Sequence, residues 1–502
     1  MKNLLLRRAA ILAVFSCALL TPCAHATPGQ PGTLDLSWNL TGKVITSIDG
    51  AVPIGTNSGA RAMAVQADGK VLLAGMCSDV ANVDFCAIRY NANGTLDASW
   101  NGTGKTMTPI GGIDDQAYAI AVQSDGKVLL AGYCKSGGSY HFCALRYNGD
   151  GTLDASWNGS GKVITPIGAG NDQAFAIAVQ PDGKVLLAGT CFGQPTKFCT
   201  LRYNANGTLD LSWNGTGKVS TSLGTGDIAY AVAIQPDGKV LVAGTCLGAA
   251  DNDFCTVRYN VNGTPDSSWN GTGILTTSVG GDDIAAAMSL QPDGKVLIAG
   301  SCRSGAAIPT DFCAVRYNTD GTPDFNWNGT GSVVASFGGG LDVRTRAIAV
   351  QSDGKVFFAG GYNNDFFALR YNANGVIDTN WNGTGRVVTP VGNFDSAWAV
   401  ALQRDGKVLL AGACSAVGQS YYDFCAVRYD GGPFGYRNCT PDIDGDGSFL
   451  ATTDALINMR IALGITGNAV IGGITFSPTA TRNTWPLIRN YLVTQCGMSL
   501  VQ

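Results

Sequence analysis

The apolar positions of this 502-residue chain fall in short runs, each closed by Gly, Asp or Asn, and one set of runs recurs seven times. In the unit that opens at Gly151, Lys162-Val-Ile-Thr-Pro-Ile167 is a first run and the Ala-rich Ala174-Phe-Ala-Ile-Ala-Val179 a second. Lys184-Val-Leu-Leu-Ala-Gly189 is a third and Phe198-Cys-Thr-Leu-Arg-Tyr203 a fourth. Short apolar runs bounded by turn formers predict strands, and no helical stretch lies between them. Asp182-Gly183 predicts the hairpin between the second and third runs, because Gly accepts the positive φ that tight hairpins need.

The anchor Gln-x-Asp-Gly-Lys-Val stands at Gln66, Gln123, Gln180, Gln235, Gln291, Gln351 and Gln403, at spacings of 57, 57, 55, 56, 60 and 52 residues. Such a period is too long for a solenoid of single short strands and suits a four-stranded propeller blade. The expected fold is all-β, a seven-bladed β-propeller over residues 27–430. The chain enters part-way through a blade at Gly32-Thr-Leu-Asp-Leu-Ser-Trp38, and the last unit leaves at Phe424-Cys-Ala-Val-Arg-Tyr429. Lys43-Val-Ile-Thr46 is therefore expected as the outer strand of the last blade, a clasp that hides sheet edges.

The repeat resembles the delta-60 repeat of secreted bacterial proteins. The matching stretch is Gln180 to Gly189 followed by Phe198-Cys-Thr-Leu-Arg-Tyr-Asn-Ala-Asn-Gly-Thr-Leu-Asp210, and the likeness extends over residues 32–430. Ser-Trp-Asn-Gly stands where members of that family usually carry Ser-Phe-Gly. The resemblance implies an extracytoplasmic propeller-like protein and brings no established activity or site residues.

Composition narrows the chemistry. The 37 acidic residues are all Asp, and only two His occur. A Glu acid or base, a His-Glu zinc helix and a clustered-His metal site are thereby excluded. A net charge of −4 argues against an electrostatic grip on nucleic acid, which needs basic stripes. Residues 1–26 read as a secretory signal peptide: a basic start with Arg7 and Arg8, the apolar run Ala9 to Leu20, and a small-x-small site at Ala24-His25-Ala26. No later stretch is apolar and long enough for a transmembrane helix. The expected product is secreted, periplasmic or held at the cell surface.

Twelve cysteines fall two per unit: Cys77/Cys86, Cys134/Cys143, Cys191/Cys199, Cys246/Cys255, Cys302/Cys313 and Cys414/Cys425. The first of each pair follows the Leu-Ala-Gly run and the second is expected to open the next strand, so each pair would bridge adjacent strands across a hairpin. In the sixth unit Tyr362 and Phe367 occupy both positions, and joint loss is what a bonded pair predicts. Disulfides here imply an oxidising compartment, each contributing about 2–3 kcal/mol for such short loops.

Composition shifts at Gly431-Gly-Pro433. Residues 431–438 read as a linker and 439–502 as a small helical domain, stapled by Cys439 and Cys496. Within it, Cys439-Thr-Pro-Asp-Ile-Asp-Gly-Asp-Gly-Ser448 sets Asp442, Asp444 and Asp446 on one concave loop. Gly447 allows the sharp turn of a calcium loop, Ser448 offers its carbonyl, and Asp454, one place late, is the last expected ligand. Helices are expected at Ala455 to Leu463 and Trp485 to Leu492. The segment resembles the calcium loop and helix of a dockerin, without that family's second loop, which makes a structural calcium the expectation over partner recognition.

Features present in all seven units read as scaffold. The Trp series (Trp38, Trp100, Trp157, Trp213, Trp269, Trp327, Trp381) is expected to pack between blades, with sugar-stacking platforms the alternative. The Arg of each Arg-Tyr pair, Arg89 through Arg428, is expected to meet a repeated Asp such as Asp97 or Asp154. Eight residues before the anchor, Asp115, Asp172, Asp227, Asp283 and Asp395 could ring the channel mouth and invite a cation or polyhydroxy ligand. The other reading is that each caps its own turn. Loops between paired cysteines vary most, and they carry Tyr140, His141, Lys197, Arg303, Tyr421 and Tyr422 without a catalytic geometry. These features favour an exported, non-catalytic propeller that binds a polysaccharide or protein partner at the cell surface. The competing class is an Asp- or Tyr-dependent enzyme acting on an extracellular polysaccharide.

Overall fold

The short apolar runs become strands in a computed structural model that describes residues 30–48, 58–78, 82–168, 170–248, 250–303, 310–337, 343–415, 421–432, 443–446, 452–462, 465 and 467–494. Residues 1–26, Asp442, Ser448, Cys439 and Cys496 lie outside the described residues.

Seven four-stranded antiparallel sheets form the blades. In the first, Gly59–Val65 lies innermost, followed outward by Val71–Ser78, Val83–Tyr90 and Lys105–Thr108. The second to sixth blades repeat this order from inner strands Gln116–Val122, Asp172–Val179, Ile228–Ile234, Ile284–Leu290 and Val343–Val350. The seventh takes Asp395–Leu402, Val408–Cys414 and Asp423–Tyr429 from the end of the array and Lys43–Thr46 from its start. Lys43 faces Val427 and Thr46 faces Phe424 in that antiparallel pairing.

The core lies between blades. One apolar cluster fills each interface and mixes residues of two neighbouring blades, with one Trp of the repeated series in each. All seven of these indoles are fully buried. Six meet a Tyr of the adjoining blade edge to face, as Trp38 meets Tyr90 at a centroid distance of 6.2 Å, the geometry that ring quadrupoles favour. The Trp series is packing, as its presence in every unit predicts.

Charge runs through the same interfaces. Arg89 Nε meets Asp97 at 2.7 Å, and the six equivalent arginines pair their aspartates at 2.6 to 2.8 Å, ending with Arg428 and Asp35. The anchor lysine reaches the same carboxylate, as Lys70 does at 3.2 Å from Asp97. The second guanidinium arm of Arg89 donates to the Gly149 carbonyl of the next blade at 2.6 Å, and Arg428 donates to Ala92 of the first blade at 2.8 Å.

The six cysteine pairs expected within the repeats are disulfides: Cys77–Cys86, Cys134–Cys143, Cys191–Cys199, Cys246–Cys255, Cys302–Cys313 and Cys414–Cys425, with Cα separations of 5.8 to 5.9 Å. One detail of the expectation is corrected. The second cysteine does not open its strand, because Cys86, Cys143, Cys199, Cys255, Cys313 and Cys425 each lie inside strands that begin earlier, at Val83, Ser139, Lys197, Asn252, Asp311 and Asp423. Nor do the two partners face each other in register. Cys86 stands opposite Gly75 while Cys77 stands opposite Asp84, and the other five pairs repeat this offset, with Cys143, Cys199, Cys255, Cys313 and Cys425 opposite Gly132, Gly189, Gly244, Gly300 and Gly412. Each bond therefore runs diagonally across the hairpin, on the side chains that share one face of the sheet. The strands extend further than the apolar run predicts because the polar residue before each Phe-Cys still pairs with its neighbour.

In the sixth blade the Tyr362 and Phe367 rings sit 5.8 Å apart and both touch Phe337. An aromatic cluster replaces the bond there.

After the propeller, Asp454–Ala462 and Trp485–Thr494 are helices. Ile443, Ile457, Val470, Trp485, Ile488 and Leu492 form a small apolar cluster between them.

Burial alone would raise the Asp97, Asp154 and Asp210 carboxyls. The hydroxyl and N–H of the Ser two residues on, with the paired Lys and Arg, instead hold each at about 2. Unfolded Asp titrates at about 3.9, so the stabilisation is complete above that pH and is lost as pH falls through about 2. Thermal unfolding from pH 7 to 2 should show Tm falling steeply only below about pH 4. A fall centred near pH 6 would contradict this assignment.

Candidate functional site: the channel collar

Every inner strand breaks register once. The residue passed over is Arg61 in the first blade, then Tyr118, Phe175, Tyr230, Ala286, Arg346 and Trp398. A bulge re-aims the side chain it carries. Here all seven bulged residues line one central cavity of about 500 Å³.

The bulge has a glycine as its counterpart. Opposite each one stands the Gly of the Leu-Ala-Gly run, where the backbones come so close that a Cβ has no room. A Cβ on Gly189 would overlap the Gln173 carbonyl oxygen, and one on Gly412 would overlap that of Ser396. The same clash arises at Gly75, Gly132, Gly244, Gly300 and Gly360.

The collar is uneven. Tyr118, Phe175 and Tyr230 form an aromatic arc, with ring centroids 5.2 Å and 5.6 Å apart in succession. The collar is completed by Arg346, Trp398 and Arg61 from the sixth, seventh and first blades, with Arg61 beside Tyr118. Both guanidinium groups lie over the Trp398 ring, at 4.3 Å and 3.9 Å from its centroid. Ala286 leaves the fifth position open. A second cavity of about 370 Å³ adjoins the cationic side and is lined by Arg61, Arg344, Arg346, Trp398, Phe394 and Tyr422, among others. Phe394 and Tyr422 are exposed.

The five expected channel-mouth aspartates are buried, and each is engaged with its own loop. Oδ2 of Asp115 accepts from the N–H groups of Ile110 (2.7 Å) and Gly111 (2.9 Å), and Asp172 accepts likewise from Ile167 and Gly168. Asp227 takes Leu223, Asp283 takes Val279 and Gly280, and Asp395 takes Val391 and Gly392. Burial raises the carboxyls of Asp115, Asp227 and Asp395, and pushes Asp283 up to about 6 with help from Asp253 and Asp251. Asp395 alone of the five borders the outer cavity.

The variable-loop residues do not converge on one centre. Tyr140 donates to Asp114 and packs on Tyr133 at 5.2 Å, while Arg303 pairs with Asp282 at 3.0 Å. Tyr422 reaches the outer cavity. Sequence reasoning missed the collar itself. Its signal was present, since one position of an otherwise Ala-rich strand changes between Arg, Tyr, Phe, Ala and Trp from unit to unit.

In the carboxy-terminal segment, Asp444 and Asp454 are fully buried. Asp454 Oδ1 accepts from the N–H groups of Ile443 at 2.5 Å and Asp444 at 3.0 Å, tying the helix start to the loop. Among the described residues no three His, Cys or Asp side chains gather as a metal-binding group. No described helix is long and apolar enough to cross a membrane.

Six segments, residues 66–99, 123–156, 180–212, 235–268, 291–324 and 351–380, match the family described as "Domain of unknown function (DUF5122) beta-propeller". Each begins at an anchor Gln, and the seventh unit is outside the matched segments. No curated protein matches the chain. Among solved structures, a protein of unknown function from Dyadobacter fermentans shares 12% identity at a TM-score of 0.43, over 77% of this chain and 97% of that one. The polysaccharide lyase Uly1 shares 11% identity at a TM-score of 0.45, over 74% of this chain and 90% of that one. A protein from Lactobacillus plantarum shares 13% identity at a TM-score of 0.43, over 72% of this chain and 99% of that one. Likenesses this remote carry no argument about activity.

Because the glycine and the bulge are one device, Gly412→Ala should disturb the strand that carries Trp398. The expected cost is about 1–3 kcal/mol, typical of overpacking, read as a lower Tm in thermal unfolding. An unchanged Tm would show that the bulge does not need this glycine.

Proposed function

We propose that this is an exported, non-catalytic propeller that binds a polysaccharide or protein partner at the cell surface through the collared end of its channel. The observation that carries the reading is the collar. Interfaces are built from the same Trp, Tyr, Arg and Asp in nearly every blade, whereas the residue aimed into the channel differs from blade to blade. Ring closure does not require that difference, and a ligand without sevenfold symmetry does. Large aromatic faces beside cationic groups in a concave site are what small-ligand and saccharide recognition uses.

An enzymatic reading would need a base. Burial pushes up the phenols of Tyr133 and Tyr230, which keeps them protonated at neutral pH and suits them to donate hydrogen bonds.

The carboxy-terminal segment is proposed to hold one structural calcium through Asp442, Asp444, Asp446, the Ser448 carbonyl and Asp454. The donors are hard oxygens of the kind calcium takes.

The test is retention of the organism's envelope and secreted-polymer fractions on the full chain and on a Tyr118→Ala, Trp398→Ala variant of matched Tm. Wild type should retain a fraction that the variant loses by about tenfold, the scale of losing buried anchors. Equal retention would move the binding site away from the collar.

Calcium should separately raise the Tm of the carboxy-terminal unit and leave that of the propeller in place. Calorimetry at a hundredfold excess over Kd should register about 2.7 kcal/mol. No shift, or an equal shift in Asp444→Asn, would remove calcium from the picture.

A further inference from the structure

Two sets of propeller arginines differ in what they meet. The seven repeated ones each hold an aspartate. Arg61 and Arg346 do not. Among the described residues neither guanidinium has a carboxylate within ion-pair distance or any hydrogen-bond acceptor, and the Nε of each is buried without a partner. Their surroundings are the faces of Trp398 and, for Arg61, Tyr118. Burial is the main influence on both and lowers their pKa, and Arg344 and Arg61 add to this at Arg346.

Two guanidinium carbons at 3.9 and 4.3 Å from one ring centroid are at most about 8 Å apart, near enough to repel through partly desolvated surroundings. A protein that half-buries such a pair without a counterion leaves guanidinium donors on the cavity wall, each with a buried Nε lacking a partner among the described residues. Guanidinium forks match planar or tetrahedral oxyanions, which they bind through paired hydrogen bonds. Asp395, the carboxylate bordering the outer cavity, turns Oδ2 to the Val391 and Gly392 amides at 2.6 and 2.7 Å, and its Oδ1 is buried. Beside Arg61 the collar continues as rings, Tyr118, Phe175 and Tyr230, with room at Ala286 before Arg346.

Resting on the reading of the channel as the binding site, we propose that Arg61 and Arg346 hold the oxyanion of an acidic saccharide, a uronate carboxylate or a sulfate ester. The sugar's C–H face would lie on the aromatic arc. The outer cavity, rimmed by the exposed Phe394 and Tyr422, takes the next residues of the chain. The acid group fixes the register and the rings give area, which is how a site with few hydrogen-bond donors can select a charged sugar over a neutral one.

The test is calorimetric titration of the full chain with four probes: an oligouronate, a sulfated oligosaccharide, a neutral oligosaccharide of equal length, and inorganic sulfate. At least one acidic oligosaccharide should bind about a hundredfold more tightly than the neutral one, the range spanned by a charge-assisted pair. The two acidic arms tell carboxylate from sulfate. Arg61→Met and Arg346→Met should each cost about tenfold for the acidic probe and little for the neutral one, with Arg61→Lys in between because it keeps the charge and loses the fork. Tm measurements on each variant separate lost binding from lost folding. Since these arginines lack an acid partner and Met can still pack on the Trp398 ring, Met should change Tm little.

Neutral and acidic probes bound equally, with both Met variants unaffected, would overturn the oxyanion site and leave the channel reading standing. Inorganic sulfate bound as tightly as the sulfated sugar would overturn the saccharide assignment. Absence of binding by every probe, together with no collar-dependent retention of envelope polymer, would overturn both this inference and the function it rests on.

Discussion

The ring depends on one repeated contact: an arginine that grips an aspartate of its own unit with one edge and a carbonyl of the next blade with the other. A propeller blade has no hydrophobic face left over for a separate core, so its stability lies in the interfaces, and each interface must be held at a fixed angle for seven to close. The Trp packing supplies area without direction. The guanidinium supplies direction, because its planar fork fixes where the neighbour's carbonyl must sit. Arg89 reaches Gly149 at 2.6 Å and Arg428 reaches Ala92 at 2.8 Å, so the seam where the chain's two ends meet is built like every other interface.

Burying that ion pair is costly in itself, and a buried pair is weak evidence of net stability. What makes it hold is the completeness of its partners. Asp97 takes Arg89, Lys70, and the hydroxyl and N–H of Ser99, so the cost of desolvating one carboxylate is met by several donors at once. Removing one partner strands the others, and breaking such a pair costs about 3–5 kcal/mol. This explains why the anchor motif keeps its lysine: the residue looks like an exposed hairpin charge and is the second cation of a buried cluster.

How much could be read from the chain follows from which features are local. The strands, the Asp-Gly hairpins and the cysteine pairs are set by residues within one unit, and the loss of both cysteines at Tyr362 and Phe367 made the pairing legible without a structure. Register was less legible: that Cys86 sits opposite Gly75 and reaches Cys77 on the diagonal depends on how far the strand runs before Phe85, which polar residues there do not announce. The Arg-Asp pairing was legible because both residues recur at fixed offset. The collar was not. Gln-Ala-Tyr-Ala-Ile-Ala-Val122 alternates like any half-buried strand, and a bulge exists only relative to its partner strand. The Gly of Leu-Ala-Gly read as the end of a run, when it is the space into which the opposite backbone swells. The aspartates before each inner strand were visible as a series, but whether a carboxylate faces the channel or its own amides depends on loop geometry that spacing does not encode.

Repetition and divergence here have one physical cause. A residue at a blade interface touches two units, so a change there must suit both neighbours, and the array keeps one solution throughout. The bulged residue touches the cavity and the collar beside it, so it can vary without disturbing ring closure. Variation is therefore permitted at seven places, yet it is not scattered: Tyr118, Phe175 and Tyr230 occupy consecutive blades, and the two arginines flank Trp398 across the seam between the sixth, seventh and first blades. Relaxed constraint alone would leave small or polar residues at such positions, as Ala286 shows. The indole attracts each cation, but the two cations, each without an acid, repel one another, a cost that the proposed anionic ligand would offset.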